Sequence, residues 1–124
     1  MEEIIFKKCG NCGTLVKVMI NSKEELEKIC SKDDTKIIKP NTEDASFEKH
    51  VPNFVINGNK IDVKINHPMD EDHYIMFITM KTENEETTKY LRPGDLAEAS
   101  FEYKGKGIIY AYCNKHSLWS KEID

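Results

Sequence analysis

Short stretches in which apolar and polar residues alternate, each cut off by turn-forming residues, fill the chain from Ile37 onward. Ile61, Val63 and Ile65 alternate with Asp62 and Lys64, so one face of Lys60–Ile65 faces a core and the other faces water. Phe54–Ile56 precedes it across Asn57-Gly58-Asn59, a hairpin signal. Tyr74–Met80 is apolar on both faces, the mark of a central strand. Thr87–Leu91 runs into the turn Pro93-Gly94-Asp95, and Ala97–Tyr103 and Gly107–Tyr112 read as a last pair. Many short strands with regular turns fold as an all-β sandwich.

Residues 1–36 have a different character. They hold three of the four cysteines, Cys9, Cys12 and Cys30. Ile4–Phe6 and Leu15–Ile20 are strand candidates around Cys9-Gly10-Asn11-Cys12-Gly13, where the glycines free the backbone. Ser22-Lys23-Glu24-Glu25 fits a capping box, so Lys23–Ile29 reads as a short helix, and Ser31–Thr35 as a polar linker. The expected division is a small cysteine-containing domain over residues 1–36 and a sandwich over 37–124.

Charge and composition narrow the function. A length of 124 residues is enough to bury a core without disulfides. The net charge of −4 argues against nucleic acid, which needs a basic face. No apolar run approaches the roughly 20 residues of a membrane helix. Met1-Glu2-Glu3 is acidic where a secretory signal would be basic, so a cytoplasmic location is expected. In that compartment a Cys-x-x-Cys favours metal binding or redox chemistry over a structural disulfide.

The chemistry gathers near the C-terminus. Cys113-Asn114-Lys115-His116 sets a thiol and an imidazole three residues apart. The other histidines, His50, His67 and His73, lie in loop-like contexts upstream, so all four can belong to one site. Singly, each histidine reads as a surface or hydrogen-bonded residue, and Cys113 as a small buried hydrophobe. Together they form a ligand set of four neutral nitrogens and one soft sulfur. Tetrahedral zinc needs only four ligands. Five of this kind suit a higher coordination number, with iron the leading candidate and one position open.

The pattern resembles the superoxide reductase family, which includes the desulfoferrodoxins and neelaredoxins. The matching residues are Asn41-Thr42-x-Asp44-Ala45, Glu48-Lys49-His50-Val51-Pro52, His67-Pro68-Met69, His73-Tyr74, Arg92-Pro93-Gly94-Asp95 and Cys113-Asn114-x-His116-x-Leu118-Trp119. They span roughly residues 37 to 120, in the family's order. The resemblance implies an immunoglobulin-like sandwich behind a small desulforedoxin-like domain. It also implies one-electron reduction of superoxide to hydrogen peroxide at a mononuclear iron cycling between Fe2+ and Fe3+. The implied ligands are His50, His67, His73, His116 and Cys113. Glu48 matches the glutamate that caps the oxidised iron, and Lys49 the lysine that draws in superoxide and helps to protonate the product. A local cation matters in an acidic protein, because salt screens charges beyond roughly 10 Å. Lys115 lies between two ligands and either assists or points to solvent. A rubredoxin-like electron donor and a homodimer or higher homo-oligomer are the expected partners, with no nucleic acid and no membrane.

The N-terminal match is incomplete. Long-form relatives place two adjacent cysteines after Cys-x-x-Cys, whereas this chain has Ile29-Cys30-Ser31. A closed four-thiolate site cannot form from one chain. Cys9, Cys12 and Cys30 then hold no metal, hold iron or zinc with Asp33, Asp34 or water as a fourth ligand, or form a Cys9–Cys12 disulfide. Absence of a second metal is the expectation. Two other function classes stay open: an iron-binding electron-transfer module without turnover, and a structural sandwich with a fortuitous histidine cluster. Superoxide consumption excludes the first, and metal analysis the second.

Overall fold

In a computed structural model, described over residues 1–19 and 35–124, the chain divides into two compact units, Glu2–Lys39 and Pro40–Asp124. The described residues of the smaller unit form a three-stranded antiparallel sheet of order β2-β1-β3, with β1 at Ile5–Cys9, β2 at Leu15–Val18 and β3 at Thr35–Ile38. Phe6, Lys7 and Cys9 are the buried residues of its central strand. Gly13, with φ +75°, turns the chain between β1 and β2, a conformation open to glycine at no steric cost. Thr35, Ile37 and Ile38 all lie in β3 and pair with β1, although the sequence assigns Thr35 to a linker and Ile37 to the sandwich. The expected helix at Lys23–Ile29 lies outside the described residues.

The larger unit is nearly all β, with one four-residue helix, α1, at Phe47–His50. One sheet has the order β4-β5-β8, from Asn53–Asn57, Lys60–Lys64 and Glu98–Glu102. The other has the order β10-β9-β6-β7, from Ser117–Ile123, Gly107–Cys113, Ile75–Lys81 and Glu86–Tyr90. Ile61 and Val63 of β5 and Ala99 and Phe101 of β8 face Ile75, Ile78, Ile109, Ala111 and Cys113 of β6 and β9 across one core. Strand alternation produces this: Lys60, Asp62 and Lys64 stay on the outer face. The β4–β5 hairpin closes as expected, with Asn57 opposite Lys60 and Gly58 at φ +62°.

Two expectations need correction. Ala97–Tyr103 and Gly107–Tyr112 do not pair. Strand β8 pairs with β5 in one sheet, and β9 lies between β6 and β10 in the other. The Lys104-Gly105-Lys106 connection therefore crosses between sheets instead of closing a hairpin, as a sandwich's Greek-key connections do. The second is β10, which the sequence reading lacks. Leu118 and Trp119 are adjacent and both buried, so the segment shows no clean alternation. Its outer edge is covered by Asn41: Ser120 N–H donates to Asn41 Oδ1 at 2.9 Å, Asn41 N–H to the Leu118 carbonyl at 3.0 Å, and Asn41 Nδ2 to the Ser120 carbonyl at 3.2 Å. Asn41 adopts φ 62°, a left-handed conformation that asparagine tolerates better than most residues.

Candidate metal centre

Five side chains named from the sequence meet at one end of the sandwich. Cys113 ends β9 and is fully buried. Alternation places it in the core-facing row of Ile109 and Ala111, so its thiol is fixed by a strand whose seven residues are all buried. His116 follows on the turn into β10. His50 ends α1 and is 4 % exposed. His67 and His73 come from the irregular segment between β5 and β6, where Asp70 and His73 exchange backbone hydrogen bonds of 3.0 and 3.3 Å and close a tight turn.

The ligand atoms of His50, His67, His73 and Cys113 all lie within 4.8 Å of one another. His116 Nδ1 joins them, 3.2 Å from His50 Nε2 and 3.8 Å from Cys113 Sγ. His67 Nε2 is 3.4 Å from the same sulfur. The imidazole tautomers follow from the outer contacts. His50 Nδ1 lies 2.6 Å from the Ser46 carbonyl and His67 Nδ1 2.6 Å from the Pro68 carbonyl. A carbonyl only accepts, so Nδ1 carries the proton in both rings and Nε2 turns a lone pair inward. His73 Nε2 is buried with no hydrogen-bond partner. Such a nitrogen is costly to bury alone and is satisfied by a cation. The donor set fits a metal of borderline to soft character.

Electrostatics agree. Burial is the main cause that holds His67 down to about 4, and it lowers His50 as well, aided by the neighbouring rings. Neutral imidazoles are the ligand form. Burial pushes the Cys113 thiol up, against the pull of the Lys115 and His116 backbone N–H groups. A thiol of this kind ionises when a cation arrives beside it.

The sequence reading names Trp119 and Asn114 only within a motif and assigns neither a role. Trp119 stacks on His50, with centroids 4.7 Å apart, and donates from Nε1 to the His116 carbonyl at 2.9 Å. Asn114 ties the Cys113 turn to the His73 segment: it accepts from Tyr74 N–H at 3.0 Å and donates to the Asp72 carbonyl at 3.0 Å. The Trp119 signal was present, as the one tryptophan of the chain inside a ligand motif. A carbonyl partner carries no side-chain signature, so Ser46 and Pro68 gave none.

Glu48 and Lys49 sit exposed on α1 beside His50, without ion pairs among the described residues. The Lys49 charge reaches the His50 ring, contributing to its lowered pKa. Lys115 lies 3.9 Å from Asp72, both exposed, a geometry of little energetic weight. The N-terminal cysteines lie apart from this cluster in sequence. Cys9 is disulfide-bonded and Cys12 is a free, exposed thiol, which corrects the Cys9–Cys12 disulfide considered above. A sulfur held in a disulfide is not a thiolate ligand. Cys30 lies outside the described residues.

The sequence profile of the desulfoferrodoxins matches residues 42–122. The chain belongs to the desulfoferrodoxin family. A desulfoferrodoxin of Desulfarculus baarsii is 37 % identical over 125 residues, covering 98 % of each chain. One from Nitratidesulfovibrio vulgaris is 37 % identical over 119 residues, covering 93 % of each. Among solved structures, the superoxide reductase of Treponema pallidum superposes with a TM-score of 0.73 at 25 % identity, over 97 % of this chain and 99 % of that one. A superoxide reductase from Giardia intestinalis gives 0.55 at 30 % identity, over 62 % of this chain and 98 % of its own. The second likeness spans less of this desulfoferrodoxin than the first.

Proposed function

We propose that this desulfoferrodoxin is a superoxide reductase, taking one electron from an external rubredoxin-like donor and delivering it with two protons to superoxide, so that hydrogen peroxide leaves. The observation that carries the reading is the meeting of four imidazoles and one thiol, with an orphaned His73 nitrogen, in a chain similar to the solved superoxide reductases of Treponema pallidum and Giardia intestinalis. His50, His67, His73, His116 and Cys113 would hold a mononuclear iron. Iron cycling between Fe2+ and Fe3+ supplies the electron when bound. The four neutral rings leave the site its positive charge, which favours an anionic substrate. The Ser46 and Pro68 carbonyls keep two of those rings in the ligand tautomer. Lys49, exposed and without an ion pair, attracts superoxide and gives a proton to the product oxygen. Glu48, a hard carboxylate exposed beside His50, would serve as a further ligand to oxidised iron in the absence of substrate. The activity belongs to the unit Pro40–Asp124, and Glu2–Lys39 forms an accessory desulforedoxin-like domain.

The test is rapid mixing of the reduced, iron-loaded protein with superoxide, with metal analysis alongside. One iron per chain and stoichiometric peroxide are expected, with turnover once a donor is added. Oxidation of the protein without peroxide would leave it an electron-transfer module. Cys113→Ser should abolish the ferric thiolate charge-transfer band. Lys49→Ala should slow the second-order reaction and weaken its dependence on ionic strength with iron retained. Glu48→Ala should keep that rate yet bind azide more tightly when oxidised. Unchanged behaviour in either variant removes that residue's role.

A further inference from the structure

His67 and His73 are half-exposed, whereas His50 is buried. What covers His50 is aromatic. Trp119, fully buried, lies nearly flat on its ring at 24°, with centroids 4.7 Å apart. Phe47 meets Trp119 edge-on, with centroids 5.1 Å apart. Phe47 itself is 54 % exposed. Three rings in contact therefore run from the surface to a candidate ligand. The Trp119 indole is also tied to the His116 carbonyl. A lone exposed phenylalanine is ordinary on a protein surface. Phe47 is instead the outer end of a stack that reaches the centre. Tyr90, the other exposed aromatic ring among the described residues, makes the contrast. It leads through Phe77 to Tyr112, with centroids 6.4 and 5.7 Å apart. Alternation puts Tyr112 on the face of β9 opposite the Cys113 side chain.

We propose that Phe47 is the point at which electrons enter the metal centre, with Trp119 carrying the contact inward to His50. The inference rests on the superoxide reductase reading and fixes where its donor meets the protein. The occupant is a small one-electron carrier protein, since that reading consumes one electron per superoxide. Encounters between redox proteins bury little area, less than about 1,200 Å². One protruding ring rimmed by the exposed charges of Glu48 and Lys49 is patch enough, with an aromatic anchor at its middle. Electron tunnelling falls steeply with distance and runs better through packed atoms than across a gap. A carrier whose redox group closes on Phe47 is coupled to His50 by ring contacts throughout. In this step the carrier loses one electron and the oxidised metal gains it, and no bond forms or breaks. An electron, unlike a substrate, needs no open channel, so this side stays sealed from water while it conducts.

The test uses the full chain, with rubredoxin as the probe carrier. With zinc in place of iron in both proteins nothing turns over, and nuclear magnetic resonance of the isotope-labelled chain maps the contact. Trp119 is the one tryptophan of the chain, so its indole N–H gives a single signal. That signal and the Phe47 amide should shift when rubredoxin is added. Phe47→Ala should weaken binding about tenfold, a loss in the range of an aromatic anchor. With iron restored, reduction of the oxidised variant by rubredoxin should slow by about the same factor. Reduction by dithionite and the reaction of the reduced variant with superoxide should keep the parent rates. Tyr90→Ala should match the parent throughout. The inference is overturned if the Trp119 indole does not respond, if Phe47→Ala accepts electrons from rubredoxin at the parent rate, or if Tyr90→Ala is the variant that loses them. Should Phe47→Ala misfold, the signals of the parent decide. A protein reduced through Phe47 that yields no peroxide would sink the superoxide reductase reading and leave this entry point standing.

Discussion

His73 shows how a single atom can point to a candidate binding site. Its Nε2 is buried and unpartnered, while the equivalent atoms of His50 and His67 face a ring nitrogen and a sulfur. Its position depends on Asn114, which holds the Asp72–Tyr74 backbone through both ends of its side-chain amide. Asn114→Ala should therefore cost about 2 kcal/mol of stability for two lost hydrogen bonds. It should also weaken metal binding roughly 10- to 100-fold, as loss of orienting partners does. A competition titration with a chelator checks the second effect, which a purely structural asparagine would not produce. The convergence of the five candidate ligands was legible because histidine and cysteine are scarce here and each sits in a recognisable motif. The role of Asn114 was not, since an asparagine beside a turn usually bonds its own backbone.

At the scale of elements, packing decides what alternation cannot. The β4–β5 hairpin was readable because Asn57-Gly58-Asn59 demands one turn geometry. The partner of β8 was not, because alternation tells which face of a strand is buried and says nothing about which neighbour it joins. Helix α1 is a single turn, too short for periodicity to register. Strand β9 carries a further consequence. Gly107 is buried at its start, and a Cβ there would lie 2.7 Å from the Lys81 carbonyl oxygen. That oxygen belongs to the backbone of the neighbouring strand and cannot swing away. Gly107→Ala should destabilise by about 1–3 kcal/mol through overpacking, seen as a lower denaturation midpoint with the metal site spectroscopically unchanged. A stability equal to the parent's would mean that β6 and β9 part easily at that end.

For the whole molecule, the buried imidazoles make the metal-free protein acid-sensitive. The His67 ring has a folded value of about 4 against an ordinary 6.5, and His50 shifts the same way. Above pH 6.5 both folded and unfolded rings are neutral, and the full stability is present. Between about 6.5 and 4 the unfolded chain takes up protons that the folded one refuses, so stability falls as pH falls. Denaturant midpoints of the apoprotein across that window should decline steadily. The iron-loaded protein should resist until acid displaces the metal. Replacing Cys9, Cys12 and Cys30 together by serine should leave superoxide reduction and one iron per chain intact, because the sandwich has its own core. Two irons with a four-thiolate spectrum in the parent would contradict this and require a sulfur from another chain. The burial of β9 has a dynamic corollary. All seven of its residues are buried, so amides around Cys113 should exchange only through global unfolding, while those of residues 67–73 exchange by local opening. The sulfur is then the stationary point of the centre, and any movement that accompanies a change of oxidation state falls to the histidine loops.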